Sequence, residues 1–396
     1  MNFIFVSPNF PDSYRHFCTS LKRNGVTVLG IGDASYDSLH PDLKQALTEY
    51  YKVSSLQDYD QMLRAVGYFT SRYGKIDWLE SNNEFWLEQD AALRTDFNIT
   101  SGQKTPDMAK IKRKSEMKAY YRKAGLPVAR SLFATDLDSA LAFTAQVGYP
   151  VVCKPDNGVG ANATYKFKCD DDVRYFFSQE HNTLYLMEEY VPGFVTTYDG
   201  IINSKGEVLF AASHISPLSI MDMVNDHIPM FYYVDKEMPQ DVIDAGQATL
   251  KAFDVRSRFF HLEFFRLYED KEGLGKQGDL VALEVNMRPA GGFTTDMINY
   301  SQSVDVFQIW ADMVAFDELR HSYEGKRTFC VHSSRWDDCT YKYPVEEVKQ
   351  AIGDKLRMAT RIPDALSGAM ANDAILACFD TLEEMKDFVG YHLEQV

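Results

Sequence analysis

The sequence predicts a mixed architecture, with an α/β domain at the N-terminus followed by α+β regions. Residues 1–105 alternate short strands with helical stretches, a βαβ pattern that implies a parallel sheet. Farther on, the apolar run FFHLEFFRL at 259–267 and the run LVALEVN that starts at Leu280 are separated by a polar segment with three glycines. That segment predicts a long hairpin loop and therefore antiparallel pairing. A chain of 396 residues has room for about two to four domains or subdomains.

The N-terminal domain contains four predicted strands. They are Asn2–Val6, Val26–Ile31, Lys52–Val53 and Trp78–Glu80. Helical stretches lie between them, and the first, Ser13–Asn24, is followed by Gly25, a residue type common at helix C-termini. The turn after the first strand reads SPNF and lacks GxGxxG, so a dinucleotide-binding fingerprint is absent.

A basic helix follows the first domain. Residues 101–109 are polar and contain a proline, as linkers do, and Lys110–Ala124 predicts a helix closed by Gly125. Eight basic residues crowd this region of an acidic chain: Lys104, Lys110, Lys112, Arg113, Lys114, Lys118, Arg122 and Lys123. Such a run is usually a solvated helix face, but here it is also the strongest candidate for a patch that receives a polyanion.

The rest of the chain mixes strands and helices with one long irregular segment. The predicted strands are Pro150–Lys154, Leu184–Glu189, Thr196–Asn203 and Val208–His214. The predicted helices are Asp136–Val147, Gln240–Phe253 and Val304–Ala315. Residues 215–240 carry many Met and Pro residues and predict an irregular active-site loop, and the tail 326–396 mixes strands and helices.

Composition narrows the range of partners. The net charge of −16 argues against nonspecific binding to nucleic acid or to an anionic membrane. The six cysteines are scattered without CxxC spacing, which favours reduced thiols in a cytoplasmic protein over a disulfide framework or a zinc site. The N-terminus has no signal-peptide pattern, and no apolar run is long enough to span a membrane.

Polar side chains recur at a spacing of two at the end of the last apolar strand of the hairpin. Glu284, Asn286 and Arg288 share one face, because successive side chains of a strand point to opposite faces. The preceding strand carries Glu263 among phenylalanines, where a buried carboxylate is costly unless it is paired or bound to a metal. Oxygen ligands suit Mg²⁺, and a planar guanidinium suits phosphate or carboxylate. A solvated strand face is the alternative.

A second segment with chemical potential is YPVVCKPDNGVGANATYKF at 149–167. Lys154 ends an apolar strand, and Gly158 and Gly160 beyond it allow backbone N–H groups to approach a ligand closely, as in loops that cover phosphates. The segment is not a Walker loop, because GxxxxGK[ST] is absent. For a GxG loop on its own, a simple turn is the alternative.

The order of these pieces is more specific than any one of them. A lysine before a helix is followed by strand–Lys–Pro with a Gly-rich loop, by MEEYVPG at 187–193, by Glu263 and by Glu-x-Asn-x-Arg. This order resembles the ATP-grasp superfamily, most of all its carboxylate–amine ligases and the carbamoyl-phosphate-synthase-like branch, over about residues 1–315. The resemblance implies an ATP-grasp fold. Its parts would be a pre-ATP-grasp α/β domain at 1–105, subdomain A with a glycine-rich lid at 106–186, subdomain B with the metal site at 187–315 and a C-terminal closing element at 316–396.

The resemblance implies a nucleotide site. Lys114 and Lys154 match the two lysines that bind ATP phosphates, Lys154 being also a catalytic residue. Gly158–Asn162, which includes Gly160, matches the mobile lid. The hinge that holds adenine is matched by Glu188, Glu189, Tyr190 and Val191.

The resemblance also implies a metal site. Glu263, Glu284 and Asn286 match the Mg²⁺ ligands, and Arg288 matches the catalytic arginine that steadies the transferred phosphate or the acyl intermediate. One departure concerns ribose. Relatives often have a glutamate at the position of Val195, and Asp199 is the candidate to replace it.

The implied function is an ATP- and Mg²⁺-dependent ligase. It would activate a small carboxylate, such as an amino acid, as an acylphosphate and join it to an amine, releasing ADP and phosphate. A ligase for a peptide or protein terminus and a non-catalytic nucleotide-binding regulator are the alternatives, and retention of the lysines and metal ligands argues against the regulator. The expected partners are small-molecule carboxylates and amines, with no nucleic acid and no membrane, and a homodimer is expected because family members are often dimers.

Three pairs of residues are further candidates with structural alternatives. Glu80 and Glu84 end a strand of the first domain and either face the cleft or lie in a solvated loop. His214 either orients a substrate or makes a structural hydrogen bond. His261 shares a strand face with Glu263 and is a candidate partner of that carboxylate. Asp296 and Asn299 follow a diglycine and either read the substrate amine or cap the next helix.

Overall fold

The N-terminal region of the protein is an α/β layer. A computed structural model describes residues 1–158, 163–218, 228 and 230–396. The helices and strands of this region are β1 (Asn2–Val6), α1 (Arg15–Arg23), β2 (Thr27–Gly32), α2 (Pro41–Ala46), β3 (Glu49–Lys52), α3 (Tyr59–Tyr73), β4 (Trp78–Glu80) and α4 (Leu87–Asp96). The four strands are parallel in the order β3-β2-β1-β4, so the predicted parallel sheet is confirmed.

This sheet has its topological switch point between β1 and β4. Strands β2 and β3 lie on one side of β1, and β4 lies on the other. In open α/β sheets, ligands bind beyond the carboxyl ends of the strands at such a point. The loops that start at Ser7 and Ser81 leave the sheet there, and the Tyr14 hydroxyl donates to the carbonyl oxygen of Asn82 at 2.6 Å, which links the two.

The middle region carries a small antiparallel sheet. Its elements are α5 (Met108–Lys112), α6 (Lys114–Lys123), β5 (Ser131–Phe133), α7 (Leu137–Val147), β6 (Val151–Pro155), β7 (Tyr165–Phe167), α8 (Asp170–Phe177) and β8 (Tyr185–Glu189). The strand order is β5-β8-β6-β7. Strand β8 therefore lies between β5 and β6, which places the predicted hinge sequence beside Lys154.

The basic helix predicted over Lys110–Ala124 is two helices, so the prediction of one continuous helix was wrong. Arg113 has extended dihedrals, φ −97° and ψ 116°, and separates α5 from α6. The reason is not local. The backbone N–H of Lys114 donates to the carbonyl oxygen of Asp156 at 3.0 Å, and the N–H of Ser115 donates to Asp156 Oδ1 at 2.8 Å. The loop after β6 thus supplies the acceptors that begin the second helix.

The C-terminal half of the chain, as far as it is described, forms one large sheet with helices. Its elements are β9 (Gly193–Ile202), β10 (Val208–Ala212), β11 (His214–Ser216), β12 (Met230–Val234), α9 (Gln240–Phe253), β13 (Arg258–Leu267), β14 (Leu280–Asn286), α10 (Thr294–Gln302), α11 (Val306–Phe316), β15 (Phe329–Arg335), α12 (Val345–Ile352), β16 (Leu356–Arg361), α13 (Asp364–Met370), β17 (Asp373–Phe379) and α14 (Leu382–Leu393). Among the described residues the order is β14-β13-β9-β11-β12-β15-β17-β16, with β10 on β9.

The segment 215–240 is more regular than the sequence indicates. Its described residues include the end of β11 and all of β12, and β12 pairs with β15 through all five residues, from Met230↔Ser334 to Val234↔Cys330. A strand 100 residues later in the chain therefore defines β12, which local composition cannot reveal. Residues 219–227 and 229 lie outside the described residues. The division of the chain into four parts stays a prediction.

The N-terminal sheet and the large sheet share a hydrophobic core. Trp310 of α11 is buried, and its ring lies 5.5 Å from that of Phe3 and 4.9 Å from that of Phe17. Phe259 of β13 belongs to the same cluster. The two sheets are therefore held together by apolar packing next to the candidate site.

Candidate active site

The predicted metal ligands come together on the β13–β14 hairpin. Glu263 lies opposite Glu284, and His261 lies opposite Asn286. The Asn286 amide Nδ2 donates to Glu263 Oε1 at 3.3 Å. Asn286 is buried and Glu284 is partly exposed, so the ligand face borders the cleft. Two carboxylates and an amide oxygen form a donor set suited to Mg²⁺.

Lys114 lies next to this face. Its ammonium group is 3.0 Å from Glu284 Oε1 and donates to the carbonyl oxygen of Gly158 at 3.4 Å. The lysine is buried, and it occupies this place because Asp156 fixes the start of α6. The first predicted phosphate lysine is thus in contact with a predicted metal ligand and with the start of the predicted lid. Gly160 and the rest of the lid, residues 159–162, lie outside the described residues.

Glu188 lies between the ammonium groups of Lys118, which is buried, and Lys154, which is partly buried. Lys118 Nζ is 2.5 Å from Oε1, and Lys154 Nζ is 2.5 Å from Oε2. Burial raises the pKa of Glu188, but the charges of the two lysines outweigh burial and bring the pKa down to about 2. The carboxylate is therefore ionised and both of its oxygens are engaged. Its predicted contact with adenine stays a prediction.

Lys118 is a site residue that the sequence analysis did not single out. It lies four residues after Lys114 in α6, and side chains four apart share one face of a helix. Both lysines are buried, with 6% and 7% of their surfaces exposed. The i, i+4 spacing within the basic run was the signal that could have identified it.

The remaining hinge residues have different environments. Glu189 accepts from the Arg130 backbone N–H at 2.7 Å and from the Arg130 guanidinium at 2.7 and 3.0 Å, so its side chain braces β5. The ammonium group of Lys166 lies 5.0 Å from the centre of the Tyr190 ring, and Val191 is buried. The end of β8 is thus hydrogen-bonded to Arg130, the residue before β5.

Arg288 reaches the N-terminal domain. Its Nε donates to Glu84 Oε2 at 3.1 Å, and its NH2 group donates to Asn286 Oδ1 at 3.4 Å. Lys112 also pairs with Glu84. Burial raises the pKa of Glu84, but Arg288 and Lys112 outweigh it and hold the pKa below its usual value.

Glu80 does not face the cleft. It is buried and pairs with Arg94 at 2.9 Å and with Arg258 at 2.8 Å, both of them buried. The alternative of a solvated loop is also wrong for Glu84, because Glu84 lies between two cations. The burial of Glu80 depends on Arg94 and Arg258, which the local sequence pattern around Glu80 does not contain.

Asp199 does not offer a free carboxylate for ribose. It is fully buried, its Oδ1 accepts from His261 Nδ1 at 2.6 Å, and its Oδ2 accepts from His214 Nδ1 at 2.7 Å. His261 Nε2 lies 2.9 Å from Glu263 Oε1. Burial lowers the pKa of His261, but Asp199 and Glu263 raise it more, to about 9.

The Asp199–His214–His261 cluster has the residue types of a metal site. Its possible ligand atoms lie within 4.8 Å of one another. The two imidazoles, however, contact opposite oxygens of the carboxylate, so they do not converge on one point. Hydrogen bonding explains the arrangement, and it confirms the expected hydrogen bond of His214 and the expected contact of His261 with Glu263.

Asp296 and Asn299 have separate roles. Asn299 Oδ1 accepts from the backbone N–H of Val306, the first residue of α11, at 2.8 Å, and so helps to satisfy the start of a helix whose N-cap is Asp305. Asp296 lies in the first turn of α10; burial raises its pKa to about 6, and its Oδ2 has no hydrogen-bond partner among the described residues. A buried carboxylate oxygen without a partner is costly, and a ligand cation would satisfy it.

Known proteins resemble the chain in sequence and in fold. No family model matches the chain. An L-arginine-specific L-amino acid ligase of Bacillus subtilis is 22% identical over 247 residues, which are 60% of this chain and 57% of the relative. The chain thus matches little more than half the length of that relative.

Solved structures match nearly the whole chain. An L-amino acid ligase from Bacillus licheniformis has a TM-score of 0.70 and 15% identity, covering 98% of this chain and 95% of that one. The biotin carboxylase domain dimer of the Hydrogenobacter thermophilus 2-oxoglutarate carboxylase, in complex with MgADP, ADP and bicarbonate, has a TM-score of 0.71 and 15% identity, covering 97% and 88%. The chain has the ATP-grasp fold.

The contacts of the candidate site bring together groups from three parts of the chain. Lys114, Lys118 and Lys154 come from the small-sheet region, Glu263 and Glu284 come from the large sheet, and Arg288 contacts the N-terminal domain.

Among the described residues, no helix is both long and apolar enough to cross a membrane.

Proposed function

We propose that the protein is an ATP- and Mg²⁺-dependent ligase that activates a small carboxylate as an acylphosphate and joins it to an amine, releasing ADP and phosphate. The observation that carries the proposal is the meeting of two kinds of group in one cleft. Buried ammonium groups that can bind phosphates lie beside an oxygen-donor face that can bind a metal, as at Lys114 and Glu284, which are 3.0 Å apart. The chain as a whole has a net charge of −16, so its overall charge does not account for this local cluster of ammonium groups.

The donor set fits the expected metal. Glu263, Glu284 and Asn286 present oxygens from neighbouring strands, and Mg²⁺ takes such ligands together with phosphate oxygens. When bound, the metal would neutralise charge on the β- and γ-phosphates. Lys114 and Lys154 would bind the phosphates, and Gly158 with the lid would cover them.

The reaction follows from charge. A carboxylate is a poor acyl donor, because its leaving group would be oxide. In the first step a carboxylate oxygen of the substrate attacks the γ-phosphorus of ATP, and the bond to the bridging oxygen breaks to release ADP. In the second step the amine attacks the acyl carbon, phosphate leaves with the oxygen, and the nitrogen loses a proton. Negative charge spreads over the phosphoryl oxygens, so Arg288 and the lysines dominate stabilisation.

An amino acid is the proposed carboxylate substrate. The similarity to L-amino acid ligases of two Bacillus species supports this choice. Asp296 is the proposed contact of the substrate amine, because its Oδ2 lacks a partner among the described residues and an ammonium group would supply one.

The test is product analysis with pairs of amino acids and small acids. The wild-type protein, Mg²⁺ and ATP should release ADP and phosphate only with a correct pair, and mass spectrometry should detect a product lighter than the two substrates by one water. Glu284→Gln is the control for contaminating ATPases. Stoichiometric AMP and pyrophosphate would refute the acylphosphate mechanism.

Location and assembly stay proposals. All six cysteines are free thiols, which supports a reducing compartment such as the cytoplasm. A homodimer stays a prediction, which light scattering of the purified protein tests.

A further inference from the structure

We propose that His261 and Asp199 are positioning residues that hold Glu263 in one orientation for the metal. The inference rests on the proposed function, since it concerns the predicted Mg²⁺ site. It assigns to the buried His261–Asp199 pair a role in metal binding in addition to a role in stability. His261 lies two residues before Glu263 on β13, on the same strand face.

The first step of the argument is that Asp199 fixes the His261 ring. Asp199 is fully buried on β9, which pairs with β13 and places Asp199 opposite His261. Its Oδ1 accepts from His261 Nδ1 at 2.6 Å. Its Oδ2 accepts from Thr197 Oγ1 at 2.6 Å and from His214 Nδ1 at 2.7 Å. With both oxygens engaged, the carboxylate is held in place and so is the ring that donates to it.

The second step is that the His261 ring fixes Glu263. The opposite ring nitrogen, Nε2, lies 2.9 Å from Glu263 Oε1, and Asn286 Nδ2 donates to the same oxygen at 3.3 Å. His261 and Asn286 therefore contact the same oxygen of Glu263, Oε1. Among the described residues these hydrogen bonds leave the second oxygen, Oε2, without a donor, so a metal can take it.

The third step is that the backbone alone does not fix this side chain. The β13–β14 pairing shifts register between Glu263 and Phe264 and skips Leu283 on β14. A bulge disrupts the ladder locally and changes where neighbouring side chains point. A carboxylate beside a bulge therefore depends on side-chain partners for its orientation, and His261 is the partner that a second carboxylate holds in turn.

A purely structural role makes a different prediction. If the network only satisfied buried polar groups, its loss would lower the free energy of unfolding and leave metal affinity unchanged. If it positions Glu263, its loss weakens metal binding in a protein that is still folded. Loss of an outer partner of a metal ligand typically costs about 10- to 100-fold in metal affinity.

The experiment measures Mn²⁺ binding to the ADP complex by electron paramagnetic resonance, without any carboxylate or amine substrate. We expect His261→Gln and Asp199→Asn to weaken Mn²⁺ binding by about 10-fold or more. High Mg²⁺ should restore turnover of His261→Gln, because the lost property is metal affinity. The matched control is His321→Gln, whose Nδ1 lies 2.8 Å from Asp312 Oδ2 in a histidine–aspartate pair that contacts none of the predicted metal ligands. It should bind Mn²⁺ like the wild type.

A double-variant cycle keeps the proposal falsifiable. In the Glu263→Gln background, His261→Gln should cause little further loss of Mn²⁺ affinity, since both act through one carboxylate. Wild-type affinity in a folded His261→Gln protein, or full additivity in the cycle, would overturn the inference. If His261→Gln fails to fold, the same measurements on Asp199→Asn decide. Wild-type protein that binds no Mn²⁺ and ADP at all would refute the proposed function instead.

Discussion

Glu188 makes the most quantitative prediction about the site. In Glu188→Gln, the buried Lys118 and the partly buried Lys154 lose the carboxylate that lies 2.5 Å from each ammonium group. Its pKa is about 2 in the folded protein against 4.5 for an ordinary glutamate. That difference corresponds to about 3 kcal/mol of stability at neutral pH. This agrees with the roughly 3–5 kcal/mol typical of breaking a buried ion pair.

The pH dependence has a definite sign. The folded pKa is depressed, so the stabilisation is fully present above the unfolded value of 4.5 and is lost as the pH falls towards about 2. The gap in unfolding free energy between wild type and Glu188→Gln should therefore be about 3 kcal/mol at pH 7 and roughly half as large near pH 3.

Urea denaturation followed by circular dichroism at several pH values measures this gap. The matched control is Asp270→Asn, which removes an ion pair with Lys276 whose side chains are 60% and 80% exposed. Exposed pairs contribute about 0–1 kcal/mol, so the control should lose little. A loss below about 1 kcal/mol for Glu188→Gln, or a loss that does not change with pH, would contradict the ion-pair arrangement.

Three further predictions concern function. Glu284→Gln should slow turnover by several orders of magnitude in a folded protein, because it removes a metal-binding charge. The control Glu272→Gln, in the exposed hairpin loop, should not slow turnover. Near-normal turnover of folded Glu284→Gln would remove Glu284 from the site. Lys154→Ala should weaken binding of an ATP analogue with Mg²⁺ by at least about tenfold in calorimetry. The control Lys168→Ala, at an exposed position, should bind like the wild type. Unchanged affinity of Lys154→Ala would make Lys154 purely structural. Asp296→Asn should raise KM for the amine substrate by about tenfold. In the wild type, kcat/KM should rise with pH through about 6, where Asp296 ionises, and the variant should lose this rise. An unchanged KM and pH profile would show that Asp296 does not contact the amine.

Local patterns predicted elements whose causes are local. Gln240–Phe253 begins after a proline, and it is observed as a helix with the predicted bounds. The helix predicted to start near Asp136 begins at Leu137, because the Asp136 carboxylate accepts from the N–H of Ser139 at 2.8 Å. The strand period placed Glu284 and Asn286 on one face, and the hairpin brought Glu263 to them.

The sequence analysis failed where a distant group decides the structure. The break at Arg113 depends on Asp156, and the strand Met230–Val234 depends on Phe329–Arg335. Lys118 became a site residue because Glu188 lies opposite it, more than sixty positions away in the chain. Asp199 seemed available for ribose only because the two histidines that occupy it come from other strands. Each error has the same physical origin, since a linear pattern carries no information about pairing in space.

The packing of Trp310 has a consequence for how the protein is made. Phe3 and Phe17 belong to the first strand and the first helix of this sequence, yet the ring that covers them is synthesised almost 300 residues later. At about 5–20 residues per second, the nascent N-terminal sheet waits for roughly 15–60 seconds with an apolar face exposed. We expect a stalled or truncated chain that ends before α11 to be prone to aggregation, because that apolar face stays uncovered. The order of synthesis thus makes α11 a condition for the solubility of the N-terminal sheet.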